Sequence, residues 1–432
     1  MLKASGAIGL LGALPVFAYK AGTVATFTPP ARSIPREYFG MHMHRASRVQ
    51  PWYQYGKSLT PWPSARFGSW RLWDAYVAWP NLQPERAKWD FSLLDRYVAM
   101  AELAKVEVLL PLGLSPRWAS ARPDEKSSYG PGNAAEPRFI EDWRAYVETV
   151  AVRYKGRIRL YELWNEPNLP GFFTGGPDKL MALAREAYSI LKKVDSSNLL
   201  AAPATTGDHK SLAWLDRYLS IGGGKHLDIL SHHFYVAQGK PEDIPGYVQR
   251  VKKIASGHGL SNVPLWNTES GFWIQNLEPG PDREGIGGGW RMVPSELAAA
   301  YVVRSLVLGW AAGLDRYYWY SWDHGNMGLT EPSSQALKAA GRAYARAIEW
   351  LAEAIMTSCR RTNGIWRCDY LQDGQPFHVI WLDDVETPRW ISLQGWNISA
   401  LETLDGAVTP VSTLGDGFEL GTLPVRLVGQ RT

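Results

Sequence analysis

Two acidic side chains in this sequence sit where chemistry explains them better than packing does. Glu166 lies in LYELWNEPN, residues 160–168, where an apolar strand pattern runs into Asn165, Glu166 and Pro167 and then lapses into the loop GFFTGGP. Glu269 lies in PLWNTESGF, again at the end of an apolar run. Cleavage of a glycosidic bond needs two carboxyl groups: one protonates the leaving oxygen, and the other attacks or stabilises the oxocarbenium-like sugar centre. A single carboxylate after a strand also serves as a salt-bridge or helix-dipole partner, so the signal is the pair. Glu162 shares strand parity with Glu166. At about 3.3 Å per residue it falls roughly 13 Å deeper, and it reads as a buried, paired structural carboxylate.

The elements that must bring Glu166 and Glu269 together follow from the hydrophobic pattern. Short apolar strands are expected at 38–44, 66–74, 106–114, 158–166, 199–205, 227–235, 265–271 and 316–323. Between them lie amphipathic stretches such as FSLLDRYVAMAELAK, FIEDWRAYVETVAVRY and KLMALAREAYSILKKV, with apolar residues at three- and four-residue spacing. Eight strands, each followed by a helix, predict an α/β fold, a (β/α)8 TIM barrel over 30–356. In such a barrel the C-terminal ends of the strands converge on one pocket, so Glu166 on strand four and Glu269 on strand seven meet. A doubly wound sheet is the alternative, but no Gly-rich phosphate loop follows the first strand, and no cofactor is expected. From 357 to 432 the pattern changes to short strands and turns, which predicts a small sandwich-like all-β domain with no helix. Two long inserts, RVQPWYQYGKSLTPWPS after strand one and QNLEPGPDREGIGGGWRMVP after strand seven, open on the active-site face; the second is Gly-rich enough for a mobile lid.

Composition narrows the partners. Apolar residues make up 45% and charged residues 20% of the 432, as in a folded globular chain, and a net charge of +4 without a basic run argues against nucleic acid. The 21 Trp and 20 Tyr exceed the needs of a core, and flat aromatic faces suit sugar rings. Residues 1–22 carry Lys3, an apolar stretch and the small-residue site at Ala18, the pattern of a signal peptide or short N-terminal anchor; nothing later looks transmembrane. An exported chain would be periplasmic or secreted, touching a membrane only through that segment. The cysteines agree. In SCRRTNGIWRC, Asn363-Gly364 is a hairpin-turn signal that sets Cys359 opposite Cys368 at a non-hydrogen-bonded position. A cross-strand disulfide fits there and implies an oxidising compartment.

LWNEPN with a strand-seven glutamate resembles the clan A retaining glycoside hydrolases. RLWDAYVAWPNLQPERAKWDFSLLDRYV, GLSPRWAS, RYKGRIRLYELWNEPNLPGFFTGG and SHHFY resemble glycoside hydrolase family 39, and within it the PslG-type exopolysaccharide endoglycosidases. The resemblance covers residues 36–352. It implies that Glu166 is the acid/base and Glu269 the nucleophile, with Asn165 on the sugar 2-hydroxyl. It also places His233 and Tyr235 in a strand-six His-x-Tyr, with Tyr235 near the nucleophile, and Arg71 as the strand-two arginine that keeps the nucleophile ionised. Trp319, or failing it Trp322, matches the strand-eight tryptophan floor, while His42 and His44 in GMHMHR match loosely. Apolar surroundings are expected to keep Glu166 protonated while Arg71 keeps Glu269 charged.

The substrate expected is an oligo- or polysaccharide. Long inserts at strands one and seven favour an open groove and endo action on a bacterial exopolysaccharide; an exo-acting β-xylosidase is the alternative within the family. Two other classes compete. His42-x-His44 with Glu166, His233 and Asp323 is the ligand pattern of a metal-dependent amidohydrolase barrel, although strand five offers no ligand and Glu269 goes unused. A carbohydrate-binding barrel without catalysis is the other, and the intact glutamate pair argues against it.

Overall fold

The structure is a computed structural model and describes residues 25–48, 58–207, 209–278, 289–384 and 387–431. The N-terminal segment 1–22 read as a signal peptide lies outside the described residues, as does 279–288 of the strand-seven insert and 49–57 of the strand-one insert.

Eight parallel strands close into a barrel: Phe39–Met41, Ser69–Arg71, Glu107–Leu112, Leu160–Leu163, Leu199–Thr206, Ile229–His233, Leu265–Ser270 and Arg316–Trp319. Each pairs with the next, and strand eight returns to strand one through Tyr317↔Phe39 and Trp319↔Met41. Alternation decides which residues fill the barrel. Leu109, Leu160, Ala201, Ile229, Trp266 and Tyr318 from six strands form the inner apolar layer. The residues beside them in sequence, such as Leu110, Tyr161, Leu230 and Tyr317, face the helices and join the large outer core. The inner layer blocks one end, so polar inward residues cluster at the other, where the strands end.

Among the described residues a long helix follows each of strands two to eight: Ser92–Ala104, Ile140–Arg153, Gly176–Val194, His209–Ser220, Ile244–Gly257, Ser295–Ala311 and Ala339–Leu351. The expected helix after strand one is missing from the described residues of that connection, where Pro61 and Pro63 interrupt any helical run. Among the described residues no helix is long and apolar enough to cross a membrane.

After the last helix the chain forms a seven-stranded antiparallel sheet and a two-stranded partner, Arg389–Ser392 with Gly417–Leu420. Between them pack Ile380, Leu382, Leu393, Ile398, Leu401, Phe418, Leu420 and Leu427. Two features depart from expectation. The single turn Val411–Leu414 is helical, and the edge strand Ala25–Phe27 comes from the N-terminal side of the barrel, pairing with Ile355–Thr362. The hairpin about Asn363-Gly364 has positive φ at both turn residues, 52° and 79°, the geometry that matches strand twist. It places Cys359 opposite Cys368 with Cα atoms 4.0 Å apart and the sulfurs bonded. Arg304, on helix Ser295–Ala311, joins the two parts: it donates to Glu242 at 2.8 and 2.6 Å and to Asp384 at 2.8 Å, while Trp381 donates to Glu242 at 3.1 Å.

Candidate active site

Strand four ends earlier than the apolar run. It stops at Leu163, and the next residues turn sharply, with Trp164 at φ 59° and Glu166 at φ 44°. The turn is held by backbone bonds to the neighbouring strands, Trp164 N–H to Leu112 at 2.7 Å and Glu166 N–H to Ala204 at 3.0 Å. Trp164 goes into the core, where its indole N–H donates to the Phe172 carbonyl at 2.8 Å. Glu166 is thereby thrown to the barrel mouth. Glu269 reaches the same point from within strand seven, Leu265–Ser270. Carboxylate oxygens of Glu166 and Glu269 and a ring nitrogen of His233 all lie within 4.8 Å of one another.

Each carboxyl has its own partners. Glu269 accepts from Arg71 Nη1 at 2.8 Å on one oxygen and from the Tyr235 hydroxyl at 2.9 Å on the other. Glu166 Oε1 lies 2.9 Å from His233 Nδ1. Arg71 is fully buried, and its remaining donors go to Glu162 at 2.6 Å and to Asn165 Oδ1 at 2.7 Å. Glu162 is buried and paired, as expected, but it is not remote from the site. Because the chain leaves extended geometry after Leu163, depth counted along a straight strand does not apply, and one guanidinium spans both Glu162 and Glu269.

Burial pushes both carboxyls up, Glu166 to about 7 and Glu269 to about 8. Arg71 pulls each down, and Asp74 raises both. Two such groups in contact share protons as a unit, so near neutrality the pair holds one proton. Taken singly, the two values would put that proton on Glu269. The donors place it on Glu166: both oxygens of Glu269 receive hydrogen bonds, one from a guanidinium that never releases its charge, which favours a carboxylate there. His233 is lowered well below its ordinary value by burial and then by Arg71, so the ring against Glu166 is neutral. The contacts about Glu166 are polar, and the Thr206 hydroxyl works against its rise, so desolvation rather than an apolar lining keeps it protonated.

Trp319 does not face the pocket. Trp319 follows the inward Tyr318 and so faces outward, packed between Phe272 and Tyr317. Trp322 is buried in the large apolar cluster. The aromatic that strand eight gives the mouth is Tyr320, two residues beyond Tyr318, and its hydroxyl donates to Asp74 at 2.7 Å. Tyr129 donates to the other Asp74 oxygen at 2.9 Å. Parity counted from Tyr318 would have found Tyr320. Asp74 has no such signal, because it sits past the strand at φ 54°.

His42 and His44 are buried under this wall, each about 5 Å from the Tyr320 ring (5.1 and 5.0 Å between centroids). They do not form the metal site considered above. Asp323 accepts the backbone N–H groups of His44 and Arg45 at 2.8 and 2.9 Å and the Thr60 hydroxyl at 2.6 Å. His42 Nε2 lies 3.1 Å from the Thr268 carbonyl, which makes that nitrogen a donor rather than a ligand. Among the described residues, the three groups of ligand type that do converge are Glu166, His233 and Glu269, the first and last of which are the glutamate pair itself.

No family model matches the chain. A β-xylosidase of Geobacillus stearothermophilus is 23% identical over 247 residues, 51% of this chain and 46% of that protein. A β-xylosidase of Caldicellulosiruptor saccharolyticus is 34% identical over 114 residues, 24% of this chain and 22% of that one. The chain thus matches less than half the length of these curated relatives. Among solved structures, a family 39 glycoside hydrolase from Bacteroides cellulosilyticus WH2 superposes with a TM-score of 0.67 at 19% identity, covering 93% of this chain and 81% of that one. The fold is that of a family 39 glycoside hydrolase. In that fold Glu166 and Glu269 occupy strand ends four and seven at one mouth, with Arg71, Asn165, His233 and Tyr235 around them.

Proposed function

We propose that the chain is a retaining β-glycosidase acting by double displacement, with Glu166 as acid/base and Glu269 as nucleophile. One observation carries this reading: two carboxyls within 4.8 Å, one held by donors suited to an anion. Retention calls for carboxyl groups about 5–5.5 Å apart, whereas inversion needs about 6.5–9.5 Å to admit a water. Glu269 attacks the anomeric carbon as the bond to the leaving oxygen breaks, and Glu166 gives that oxygen its proton. The product is a glycosyl ester on Glu269 and a free alcohol. Glu166, now a carboxylate, takes a proton from water; the water oxygen bonds to the anomeric carbon and Glu269 is released. Asn165, oriented by Arg71, is the group assigned to the sugar 2-hydroxyl. Arg71 and Tyr235 steady the negative charge on Glu269 before attack and after release.

A 2-deoxy-2-fluoro β-xyloside with an activated leaving group tests the assignment. The expected result is a stable adduct found by peptide mass spectrometry on Glu269. Glu166→Ala should lose turnover on poor leaving groups and regain it with azide on activated ones. Full activity of Glu269→Ala on a natural glycan would overturn the reading.

The long connections after strands one and seven support endo action on a bacterial exopolysaccharide. The β-xylosidase names of both curated relatives favour a second reading, removal of terminal xylose. Sizing the products from exopolysaccharides and from xylo-oligosaccharides separates these: shortened polymer supports the first, free xylose the second. Export to an oxidising compartment belongs to the same proposal, supported by the Cys359–Cys368 bond. Cell fractionation with N-terminal sequencing of the mature protein tests it.

A further inference from the structure

The glycosidase reading expects an aromatic surface for sugar at the mouth, and from strand eight Tyr320 supplies a single ring. Trp319 faces the helices, and the hydroxyl of Tyr320 is committed to Asp74. The connections that follow strands six and seven bring a different pair into place. The Tyr235 ring, whose hydroxyl bonds Glu269, meets Trp290 edge-to-face at 5.1 Å and 78°. Trp290 stacks on Trp273 at 6.1 Å and 23°.

Both indoles remain partly exposed, unlike Trp70, Trp79, Trp143 and Trp310, which the core covers completely. Backbone bonds fix them. Trp273 and Ile274 pair with Met292 and Val293 in a short parallel ribbon. Ile274 N–H donates to Asn326 at 2.8 Å, Gln275 N–H to Val293 at 2.9 Å, and Arg291 N–H to Ala237 at 2.9 Å. A pair of indoles held this way, partly open and one ring from the nucleophile, is a platform rather than a share of the core.

We propose that Trp273 and Trp290 form a glycone subsite that stacks the second sugar ring from the scissile bond. The proposal rests on the glycosidase reading for its orientation. Glu166 protonates the leaving oxygen, so the leaving group lies on its side, and Trp290 lies beyond Tyr235 on the side of Glu269. Tyr235 lies between Trp290 and Glu269, its hydroxyl on Glu269 and its ring against Trp290, which leaves the first sugar ring to the pocket and gives the second to the indoles. The ring that fits is a pyranose with equatorial hydroxyls, xylo- or gluco-configured, because its axial C–H bonds form an apolar face that packs on an aromatic one.

The test compares 4-nitrophenyl β-xyloside with β-xylobioside, and β-glucoside with β-cellobioside, on the full chain and on Trp290→Ala, Trp273→Ala and Trp290→Phe. Wild type should prefer the bioside of one series. Trp290→Ala should cut that preference in kcat/KM by about tenfold, through KM rather than kcat, the upper range for one aromatic contact. Trp290→Phe should recover part of it. Calorimetric titration of xylobiose and cellobiose reads the platform without turnover, so failure of the glycosidase reading would show as binding that depends on Trp290 with no hydrolysis and no Glu269 adduct. The proposal is overturned if wild type binds neither disaccharide, if the bioside preference survives Trp290→Ala, or if mono- and bioside lose equally.

Discussion

Arg71→Met is the most informative single change, because it removes a buried charge while keeping an unbranched apolar stem in place of the aliphatic part of the side chain. Arg71 donates to Glu162, Glu269 and Asn165 from a fully buried position. Burial raises both Glu162 and Glu269, and Arg71 is the foremost influence opposing it in each case. Removing one partner of a buried ion pair costs about 3–5 kcal/mol, a large part of a total stability of about 5–15 kcal/mol. The penalty should depend on pH with a definite sign. Burial raises the Glu166–Glu269 pair as a unit above the ordinary carboxylate range, so the folded state binds more protons than the unfolded chain and wild type loses stability as pH rises from the ordinary carboxylate range toward neutrality. Without Arg71 the folded values of Glu162 and Glu269 move higher still, and that loss steepens. At about pH 4 both carboxyls are largely protonated in either state, and what remains is the missing hydrogen bonds, about 1–3 kcal/mol for two or three of them. Urea unfolding followed by tryptophan fluorescence at about pH 4 and about pH 8 should therefore show a gap between variant and wild type that shrinks in acid. A gap that is equal at both values, or larger in acid, would refute the charge assignment within the cluster.

Tyr235→Phe deletes the hydroxyl on Glu269 and should lower kcat/KM about 10- to 100-fold, the range for a hydrogen bond to a charged group; steady-state rates within twofold of wild type would contradict that role. Asp74→Asn removes a negative charge that raises both glutamates, so the alkaline limb of kcat/KM, where Glu166 loses its proton, should move to lower pH. An unmoved or upward-shifted limb would count against it. Arg304→Met leaves Glu242 buried beside Trp381 without its cation, and should destabilise the joint between barrel and C-terminal sheet by about 3–5 kcal/mol. Limited proteolysis should then release the C-terminal part faster, and unchanged cleavage rates would argue that the joint is held by other contacts.

How much of this was legible in the sequence follows from which signals are periodic. Barrel strands buried on both faces show as apolar runs whatever their exact ends, so all eight were visible, and Glu166 and Glu269 stood out as carboxylates terminating such runs. Even the Cys359–Cys368 pairing could be counted, because a two-residue turn at Asn363-Gly364 fixes register. What failed was extrapolation past the strand ends. Glu162 stands closer to the site than a straight strand predicts because the chain stops being extended at Trp164, and Trp319 has the residue type of the expected floor at the wrong parity. Asp74, Trp273 and Trp290 carry no periodic mark at all; they reach the mouth through turns, a two-residue ribbon and contacts across the barrel. The consequence for function is specific. The pair proposed to react belongs to strands four and seven and is set by the barrel itself, whereas the surface proposed to choose a sugar is assembled from connections whose conformation no local pattern encodes. The proposed cleavage chemistry is therefore written in the sequence at the level of residues, whereas the proposed sugar platform emerges only once Trp290 is seen against Tyr235.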